Sequence, residues 1–545
     1  MNLVRPRLER RLPLPGIHRM KSTLAWHAAL GAVLALALGT TGALAMDAEV
    51  TSDTAAQFYD VVSPTGQTTL ERRRLTSTLG FGIYDLMPTN PGDPYAPELS
   101  FRLRLRYDAD YGATPGTSDP TNFNSFVPGF QPQAVDLMYG YLEGRRFLRG
   151  TLGFKLGRQY VTDVLGWWSF DGGEVSVTTP VYVKAEAYGG LEQRGGLPLS
   201  TPRFEADGVW RGDRNGFDPL LYPSFQPAEV APAFGVALES VGFTWLHSRL
   251  TYRRVYNTGI ANESDFTSGL IAPVTYDGWR ISSERLGYAL DASAPGLGGA
   301  KGGLIYDFYR ARITSAYGSL DAYLGQKVTL SADYDYYVPS FDADSIWNFF
   351  AGYPRNDVGL RANLDLDRRL SVAANAHVRI FSVQTGPFTT GLPASEGINT
   401  SLVPGVVAAD YFPAHALSFD EGGEVMARWR TSTTRIAFIA RGDFGSQGDR
   451  VGGDVTGEQL LETRYVVGGR VGVWQWKDDL EQDREATGFQ YVLNAGYLFA
   501  PRCKGAIEWE HDINGLVGQR FRLLLTLTLG AGSSASIGSL PGTVK

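Results

Sequence analysis

Leucine and arginine alternate along the stretch SFRLRLRYD at residues 100–108. Successive side chains of an extended strand point to opposite faces, whereas a helix would mix the two sets. Leu103 and Leu105 therefore share an apolar face, and Arg102, Arg104 and Arg106 share the other. The pattern predicts a strand with one apolar surface and one strongly polar surface.

The same two-residue period recurs between residues 70 and 530. It is clearest at 327–337, 357–366 and 519–529, where apolar and aromatic residues alternate with charged and hydroxyl residues. Nineteen segments of about ten residues fit the pattern, separated by residues that favour turns. Because a closed bacterial barrel has an even number of strands, one segment has been missed or divided.

Nothing in the sequence covers these apolar faces with protein. We find no amphipathic helix of useful length, and no repeat of about 40 residues of the kind that a secreted β-propeller shows. The segments are about as long as membrane-crossing strands. We therefore predict an all-β protein, a transmembrane antiparallel up-and-down β-barrel whose apolar face contacts outer-membrane lipid. A soluble protein of several sheets is the alternative.

The start of the chain has the features of a secretory signal. Lys21 precedes the apolar run 24–38, and Ala43-Leu44-Ala45 is a small-x-small cleavage site. We expect cleavage after residue 45, with residues 1–19 either a mis-assigned start or an extended basic region. Export and a barrel together place the protein in the outer membrane of a Gram-negative bacterium.

Four parts of the chain follow from these signals. We predict an N-terminal extension and cleaved signal peptide at 1–45, a periplasmic N-terminal segment at 46–69, the transmembrane barrel at 70–530 and a C-terminal tail at 531–545. No plug domain or TonB box is evident between residues 47 and 70. This argues against energised uptake by a receptor.

Composition and charge exclude several classes of protein. The chain has 65 glycines, 27 tyrosines, 28 phenylalanines, one cysteine and a formal net charge of −7. An exported acidic chain is a poor partner for nucleic acid, and the lone Cys503 allows no internal disulfide.

The residues that barrel enzymes need are not arranged for catalysis. After cleavage four histidines remain, and His247 and His511 each precede a Ser or Asp that lies on the opposite face of a strand. No metal-ligand cluster is recognisable either. We predict no catalytic residues, no metal site and no cofactor.

Connections between the segments are either tight, such as LDRRL at 366–370, or long, as expected for the two rims of a membrane barrel. The loop 382–419 carries the apolar patch SLVPGVVAADYF and is either a constriction folded into the lumen or an external loop. The aromatic residues of 341–354 are either stacking platforms for sugars or part of the aromatic girdle.

The segment LGRQYVTDVLGWWSFDGGEVSV at 156–177 resembles porin-like barrels of the alginate-export type. In that polysaccharide-export family a strand ends in Gly-Arg-Gln and the next opens with Trp and then Asp-Gly. The matching residues here are Gly157, Arg158, Gln159, Trp168, Asp171 and Gly172. The resemblance implies about 18 strands, which we adopt. Arg158 has the parity of the apolar face, which places it at a rim or after a bulge.

Strand parity directs a set of arginines into the lumen. The predicted channel-lining residues are Arg102, Arg104, Arg106, Arg361, Arg379, Arg428, Arg430, Arg464 and Arg470. Either they pair with inward carboxylates and brace the wall, or some remain unpaired. Unpaired guanidinium groups would bind carboxylates, sulfates or phosphates and pass an anion from site to site.

These expectations lead to an outer-membrane channel. The leading hypothesis is passage of an exported, anionic polysaccharide, with periplasmic export machinery and the barrel-assembly machinery as partners. One alternative is a general or anion-selective uptake porin that passes small anions. The other is a structural or adhesion barrel with a closed lumen.

Overall fold

One antiparallel sheet forms the wall of the molecule. The computed structural model describes residues 47–87, 93, 95–110, 134–193, 231–258, 261–264, 273–276, 278–339, 354–384, 415–446, 448–478 and 484–532. A short helical turn, Phe147–Gly150, follows the fourth strand.

The described residues contain 24 strands. The first half comprises β1 (Asp47–Val62), β2 (Thr68–Tyr84), β3 (Glu98–Asp110), β4 (Ala134–Arg146), β5 (Leu152–Asp163), β6 (Gly166–Thr178), β7 (Val183–Glu192), β8 (Pro232–Ser240), β9 (Leu246–Asn257), β10 (Ala261–Ser264), β11 (Pro273–Tyr276) and β12 (Arg280–Ala294). The second half comprises β13 (Gly298–Asp307), β14 (Arg312–Leu324), β15 (Val328–Tyr337), β16 (Arg355–Asp365), β17 (Leu370–Gln384), β18 (His415–Arg430), β19 (Thr434–Gly445), β20 (Gly448–Leu461), β21 (Tyr465–Asp478), β22 (Arg484–Ala500), β23 (Cys503–Asn514) and β24 (Gly518–Gly532).

The sheet closes on itself. Each wall strand pairs with its neighbour in the chain, β9 pairs directly with β12, and β10 and β11 form a separate hairpin. The barrel is closed by β1 and β24, whose register runs from Glu49 opposite Gly532 to Val62 opposite Gln519. The fold is therefore a closed, all-β, antiparallel up-and-down barrel.

The wall has 22 strands, so the expectation of about 18 is wrong. Three wall strands were missed, two of them, β1 and β20, because their apolar faces carry few large residues. β1 lies in the segment 46–69 that we had assigned to the periplasm, and β20 is rich in glycine and acid. The predicted segment 173–188 spans the turn 179–182 and so merges β6 with β7.

The outer face of the wall is apolar and uncovered by protein. Leu320 and Leu360 are each 63% exposed, and Leu493 is 58% exposed. Among the described residues no helix is long and apolar enough to cross a membrane. A closed barrel pairs the backbone groups of neighbouring strands around the whole wall, which is what lipid requires of a spanning sheet. The chain is an outer-membrane β-barrel.

The two rims differ in the length of their connections. The longest connections are 111–133, 193–231, 258–279, 338–354 and 385–414, and all follow odd-numbered strands of the wall order, so they share one rim. Most turns of the other rim are short, as at 366–369. By the usual asymmetry of these barrels, the short-turn rim is periplasmic. Some connections on the rim with the long loops, such as 446–447, are also short. For this reason short and long connections do not alternate regularly along the sequence.

The turn at 366–369 shows how the short connections are held. The backbone N–H groups of Arg369 and Leu370 donate to the carboxylate of Asp367. These bonds stabilise the charged form and hold the pKa of Asp367 below its ordinary value.

The two loops singled out in the sequence lie mostly outside the described residues. Residues 382–384 belong to β17 and 415–419 to β18, and residues 385–414 between them are not described. Of the aromatic segment 341–354, only residue 354 is described. Gating and sugar stacking by these loops stay predictions.

A charge on the outer face tests the assignment of the two faces. We expect Leu493→Arg to lower the free energy of unfolding by about 2–4 kcal/mol, because the guanidinium enters lipid. The measurement is equilibrium denaturation of the barrel in lipid vesicles. Asn494→Arg, the next residue and on the lumen face, is the matched control, with a change within about 0.5 kcal/mol. Equal losses in the two variants would contradict the assignment.

Candidate functional site

The hairpin of β5 and β6 leaves the wall partway along its length. Pairing between β4 and β5 stops at Gly140 opposite Arg158, and pairing between β6 and β7 begins only at Phe170 opposite Glu192. β5 and β6 nevertheless stay paired with each other as far as Asp163 opposite Gly166. Within the described ranges, residues 159–169, called here the lumen hairpin, lie beyond the strand pairing of β4 and β7, and the Gln193 N–H donates a hydrogen bond to the Ser169 carbonyl at the base of the hairpin.

The tip of the lumen hairpin reaches strands that are far away in the wall order. The Asp163 carboxylate accepts a hydrogen bond of 3.0 Å from the Arg253 guanidinium of β9. The side chains of Val164 and Leu165 occupy the space where a Cβ on Gly287 of β12 would lie. Because Arg253 and Gly287 have the parity of the inner face, the hairpin crosses the inside of the barrel.

One face of the lumen hairpin is fully buried against the wall. Trp168 and Phe170 stack at 4.3 Å between ring centroids, and both are 0% exposed. The Trp168 indole donates to Glu192 of β7 at 2.8 Å, and the Arg253 guanidinium lies 5.0 Å above the same ring. Tyr188 completes the aromatic cluster. These contacts hold the hairpin inside the lumen.

The Asp163 and Arg253 pair is itself out of solvent, with side-chain exposures of 0% and 8%. An ion pair at such depth is costly to break, because removal of one partner leaves the other charge buried and uncompensated. A backbone N–H, that of Leu165, also donates to Asp163 and fixes the turn. The pair therefore works as a lock on the hairpin tip.

The other face of the lumen hairpin looks into the open lumen. Its Tyr160 is 40% exposed, lies 6.1 Å from Tyr139 of β4 by ring centroids and interacts electrostatically with Arg102 and Arg104 of β3. Arg102 hydrogen-bonds to Tyr141, which neighbours Tyr139 on the same inward face. We call these five residues the arginine–tyrosine cluster.

The charges of this cluster do not cancel. Arg104 pairs with Asp53 at 2.7 Å and donates to Thr78 at 2.8 Å. Glu143, the nearby carboxylate, pairs with Arg145 at 2.8 Å. Arg102 lies over the Tyr84 ring at 5.4 Å, and within the part of the chain that the structure describes it has no ion pair. The cluster therefore presents a net positive surface next to the hairpin.

The residues of the sequence motif meet at the point where the hairpin leaves the wall. Arg158 donates two hydrogen bonds of 2.6 and 2.8 Å to the Asp171 carboxylate. It donates a third, of 2.9 Å, to the backbone carbonyl of Leu137. That carbonyl lies where β4 shifts register against β3. The guanidinium thus satisfies a backbone group next to the departing strand.

The glycines of the motif allow the strands to come close. Gly157 has φ of 125°, and a Cβ there would overlap the carbonyl oxygen of Gly140. Gly172 lies opposite Gly157 and has no room for a side chain against Gly189. Gln159, almost fully buried, donates to the Gly172 carbonyl at 3.2 Å.

The remaining arginines predicted to line the channel fall into three groups. Arg106, Arg379 and Arg470 are inward and pair with Asp136 at 3.1 Å, Asp357 at 3.0 Å and Asp454 at 3.5 Å respectively. Inward residues with no ion pair in the described ranges are Arg361, Arg428 and Arg430. Arg464 is outside the wall strands, in the short turn before β21, and its place on the channel lining stays a prediction.

Sequence reasoning missed the lumen hairpin and its lock. Alternation describes β5 and β6 as ordinary wall strands, and the contact between Asp163 and Arg253 joins residues 90 positions apart. The available signal was that Arg158, a charged residue, falls on the apolar face of its strand, together with Trp168 and Phe170 on the inward face. As to metals, no group of three or more suitable His, Cys, Asp or Glu side chains occurs in the described ranges.

Comparison with known proteins leaves the family open. No family model matches the chain, and no curated protein does. Similar solved structures include OccAB4 of Acinetobacter baumannii, with 9% identity and a TM-score of 0.38 over 90% of this chain and 98% of that one. The outer membrane protein opdK of Pseudomonas aeruginosa has 7% identity and a TM-score of 0.38 over 89% and 99%. The siderophore receptor PirA of Pseudomonas aeruginosa has 9% identity and a TM-score of 0.46 over 88% of this chain and 80% of that one.

The resemblance to alginate-export barrels drawn from residues 156–177 is wrong. The wall has 22 strands where that family implied about 18, and no family model supports the assignment. The motif has a physical explanation of its own, because Gly157, Arg158 and Asp171 are the residues that let the hairpin leave the wall.

Breaking the buried pair tests the lock on the hairpin tip. We expect Asp163→Asn to lower the free energy of unfolding by about 3–5 kcal/mol, because Arg253 is left buried and unpaired. Denaturation in lipid vesicles measures the loss. Glu458→Gln is the control, since its pair with Arg435 is exposed and worth less than about 1 kcal/mol. A loss in Asp163→Asn no larger than in the control would contradict a buried lock.

Proposed function

We propose that the barrel is a passive outer-membrane channel for the uptake of small anionic solutes. The observation that carries the proposal is the arginine–tyrosine cluster, in which Tyr160 of the lumen hairpin lies beside the arginines and tyrosines of β3 and β4. The hairpin reduces the open cross-section, so a solute passes close to Arg102 and Arg104. The barrel has no catalytic role in this proposal.

The chemistry of the cluster supports selection of anions by weak binding. A guanidinium offers several N–H donors in a plane that suits carboxylates and phosphates. Tyr139, Tyr141 and Tyr160 add hydroxyl groups and ring faces without adding charge. Transport requires each site to hold a solute weakly enough to release it. The cluster meets this condition, because Arg104 is already shared with Asp53 and so binds a passing anion less strongly.

Further inward arginines lie elsewhere in the wall. Arg428 and Arg430 lie on β18, exposed to the lumen and without an ion pair in the described ranges. Elsewhere the wall is mixed, since Asp333 and Asp335 line a cavity of about 330 Å³ together with Arg361. The positive character is therefore local, and selectivity is proposed to arise where the hairpin narrows the lumen.

Export of a polysaccharide, our leading hypothesis from the sequence, depended on the resemblance and falls with it. A second candidate is an energised receptor, which the strand number favours because 22-stranded outer-membrane transporters have a plugged lumen. The described residues include no plug, since every described strand except β10 and β11 belongs to the wall. A structural barrel with a closed lumen is the third alternative.

Current through the purified protein in a planar bilayer, with no energy source, tests the proposal. In a potassium chloride gradient we expect a reversal potential that shows preference for chloride. The double variant Arg102→Ser/Arg104→Ser removes two positive charges and exposes Asp53, so its chloride-to-potassium permeability ratio falls several-fold.

The control is Arg368→Ser/Arg369→Ser, which removes the same charge from the short periplasmic turn and leaves the ratio unchanged. A cation-selective wild type, or equal ratios in the two double variants, would overturn the role of the cluster. An absence of current in the wild type would overturn passive transport and favour the receptor or the structural barrel.

A further inference from the structure

A second lumen site lies near the rim with the long connections. Trp474 and Trp476 both have the inward parity of β21, opposite the exposed, outward Val471 and Val473. They line a cavity of about 450 Å³ together with Arg450, Gln490, Asp512 and Asn514. We call it the tryptophan pocket. Its volume is within the range of about 300–1,000 Å³ that small-molecule sites occupy.

Glycines leave space on both sides of Trp474. Its cross-strand neighbours are Gly452 on β20 and Gly488 on β22. The indole lies over Gly452, where a Cβ would fall 2.8 Å from the ring. A Cβ on Gly488 would meet nothing closer than 3.7 Å, so this position is open. The wall is therefore recessed beside an aromatic surface, and the recess is a place where one ring could bind.

The polar groups of the pocket have defined free positions. Asn514 accepts from the backbone N–H groups of Leu516 and Val517 through its Oδ1, at 2.9 and 3.0 Å. Its Nδ2 therefore remains a donor, and it is the atom nearest to the open position at Gly488. Gln490 donates to Glu510 at 2.8 Å, which leaves its amide oxygen as an acceptor. Donor and acceptor side by side are what a pair of hydroxyl groups needs.

Two arginines line the pocket, and Arg470 is paired with Asp454 at 3.5 Å, so the available positive charge is that of Arg450. Its guanidinium stacks on the Trp474 ring at 4.5 Å, and it has no carboxylate partner within the described ranges. Stacking fixes the plane of the guanidinium while its N–H edge stays free to bind an anion. By contrast, Asp512 is paired with Arg520, which also contacts Glu510.

We propose that the tryptophan pocket binds an acidic sugar, a six-membered hydroxylated ring that carries a carboxylate or a phosphate. The apolar C–H face of the ring lies on the indole, its hydroxyls meet Asn514 and Gln490, and its anionic group lies against Arg450. An aromatic anion would leave the two amides unsatisfied, and a neutral sugar would leave Arg450 unused. The proposal extends the proposed uptake function by giving entering solutes a first binding site.

Calorimetric titration of the full-length barrel in detergent micelles tests this site directly. The probes are glucuronate, glucose 6-phosphate, glucose and benzoate. We expect at least one acidic sugar to bind at least tenfold more tightly than glucose and benzoate. Binding of glucuronate alone identifies a carboxylate as the anionic group, and binding of glucose 6-phosphate alone identifies a phosphate.

Two variants and a control assign the binding to the pocket. Trp474→Ala should raise the Kd of the acidic sugar at least tenfold, and Arg450→Gln should abolish the preference over glucose. Trp429→Ala removes a tryptophan from the outer face and should change nothing. Unheated gel mobility shows that each barrel is folded.

The proposal is overturned if no sugar binds, if benzoate binds as tightly as the acidic sugars, or if Trp474→Ala binds like the wild type. Because titration does not depend on current, the two proposals fail separately. Selective chloride current without sugar binding rejects the pocket alone, and sugar binding without current rejects the passive channel alone.

Discussion

Backbone hydrogen bonding in lipid is the constraint on which this structure depends. A spanning sheet leaves no N–H or carbonyl unpaired in the hydrocarbon, so the wall has to close on itself. Here closure is made by β1, a strand of small and polar residues that fills the gap between β2 and β24. Its side chains provide little apolar surface, so its place in the wall rests chiefly on backbone pairing. The same constraint makes the departure of the lumen hairpin costly unless the freed groups find partners, and Arg158 supplies one for the Leu137 carbonyl.

Closure divides the side chains into two environments with different rules. On the outer face lipid covers the apolar residues, whereas on the inner face charges face one another in confined water. Many inward arginines are therefore structural, as with Arg522, which contacts both Glu508 and Glu510. Arg102 differs because its neighbours are tyrosines and its nearest carboxylate, Glu143, is shared with Arg145. Parity places an arginine in the lumen, but the partners across the strands decide whether its charge is available to a solute.

The sequence is sufficient for the architecture and insufficient for the interior. A two-residue period identifies the strands whose outward positions carry large apolar residues, and it places Arg102 and Arg104 in the lumen. It fails for β1 and β20, where small or polar residues are stabilised by neighbouring strands that no local pattern reveals. The lock of Asp163 on Arg253 joins segments distant in the chain, so alternation contains no trace of it. The tryptophan pocket was equally hidden, because its shape comes from glycines on adjacent strands that only the register brings beside Trp474.

The central claim is that residues 159–169 fold into the lumen and narrow it. Thiol crosslinking in intact outer membranes tests this most directly, with Leu165→Cys at the hairpin tip and Ala289→Cys on the inward face of β12, in a Cys503→Ser background. The account predicts efficient crosslinking by a short bifunctional reagent, since the tip lies against β12 at Gly287. Pairing Leu165→Cys with Tyr288→Cys, which is outward, should give none. No crosslink to Ala289→Cys, with the tip thiol freely labelled from outside the cell, would contradict the account.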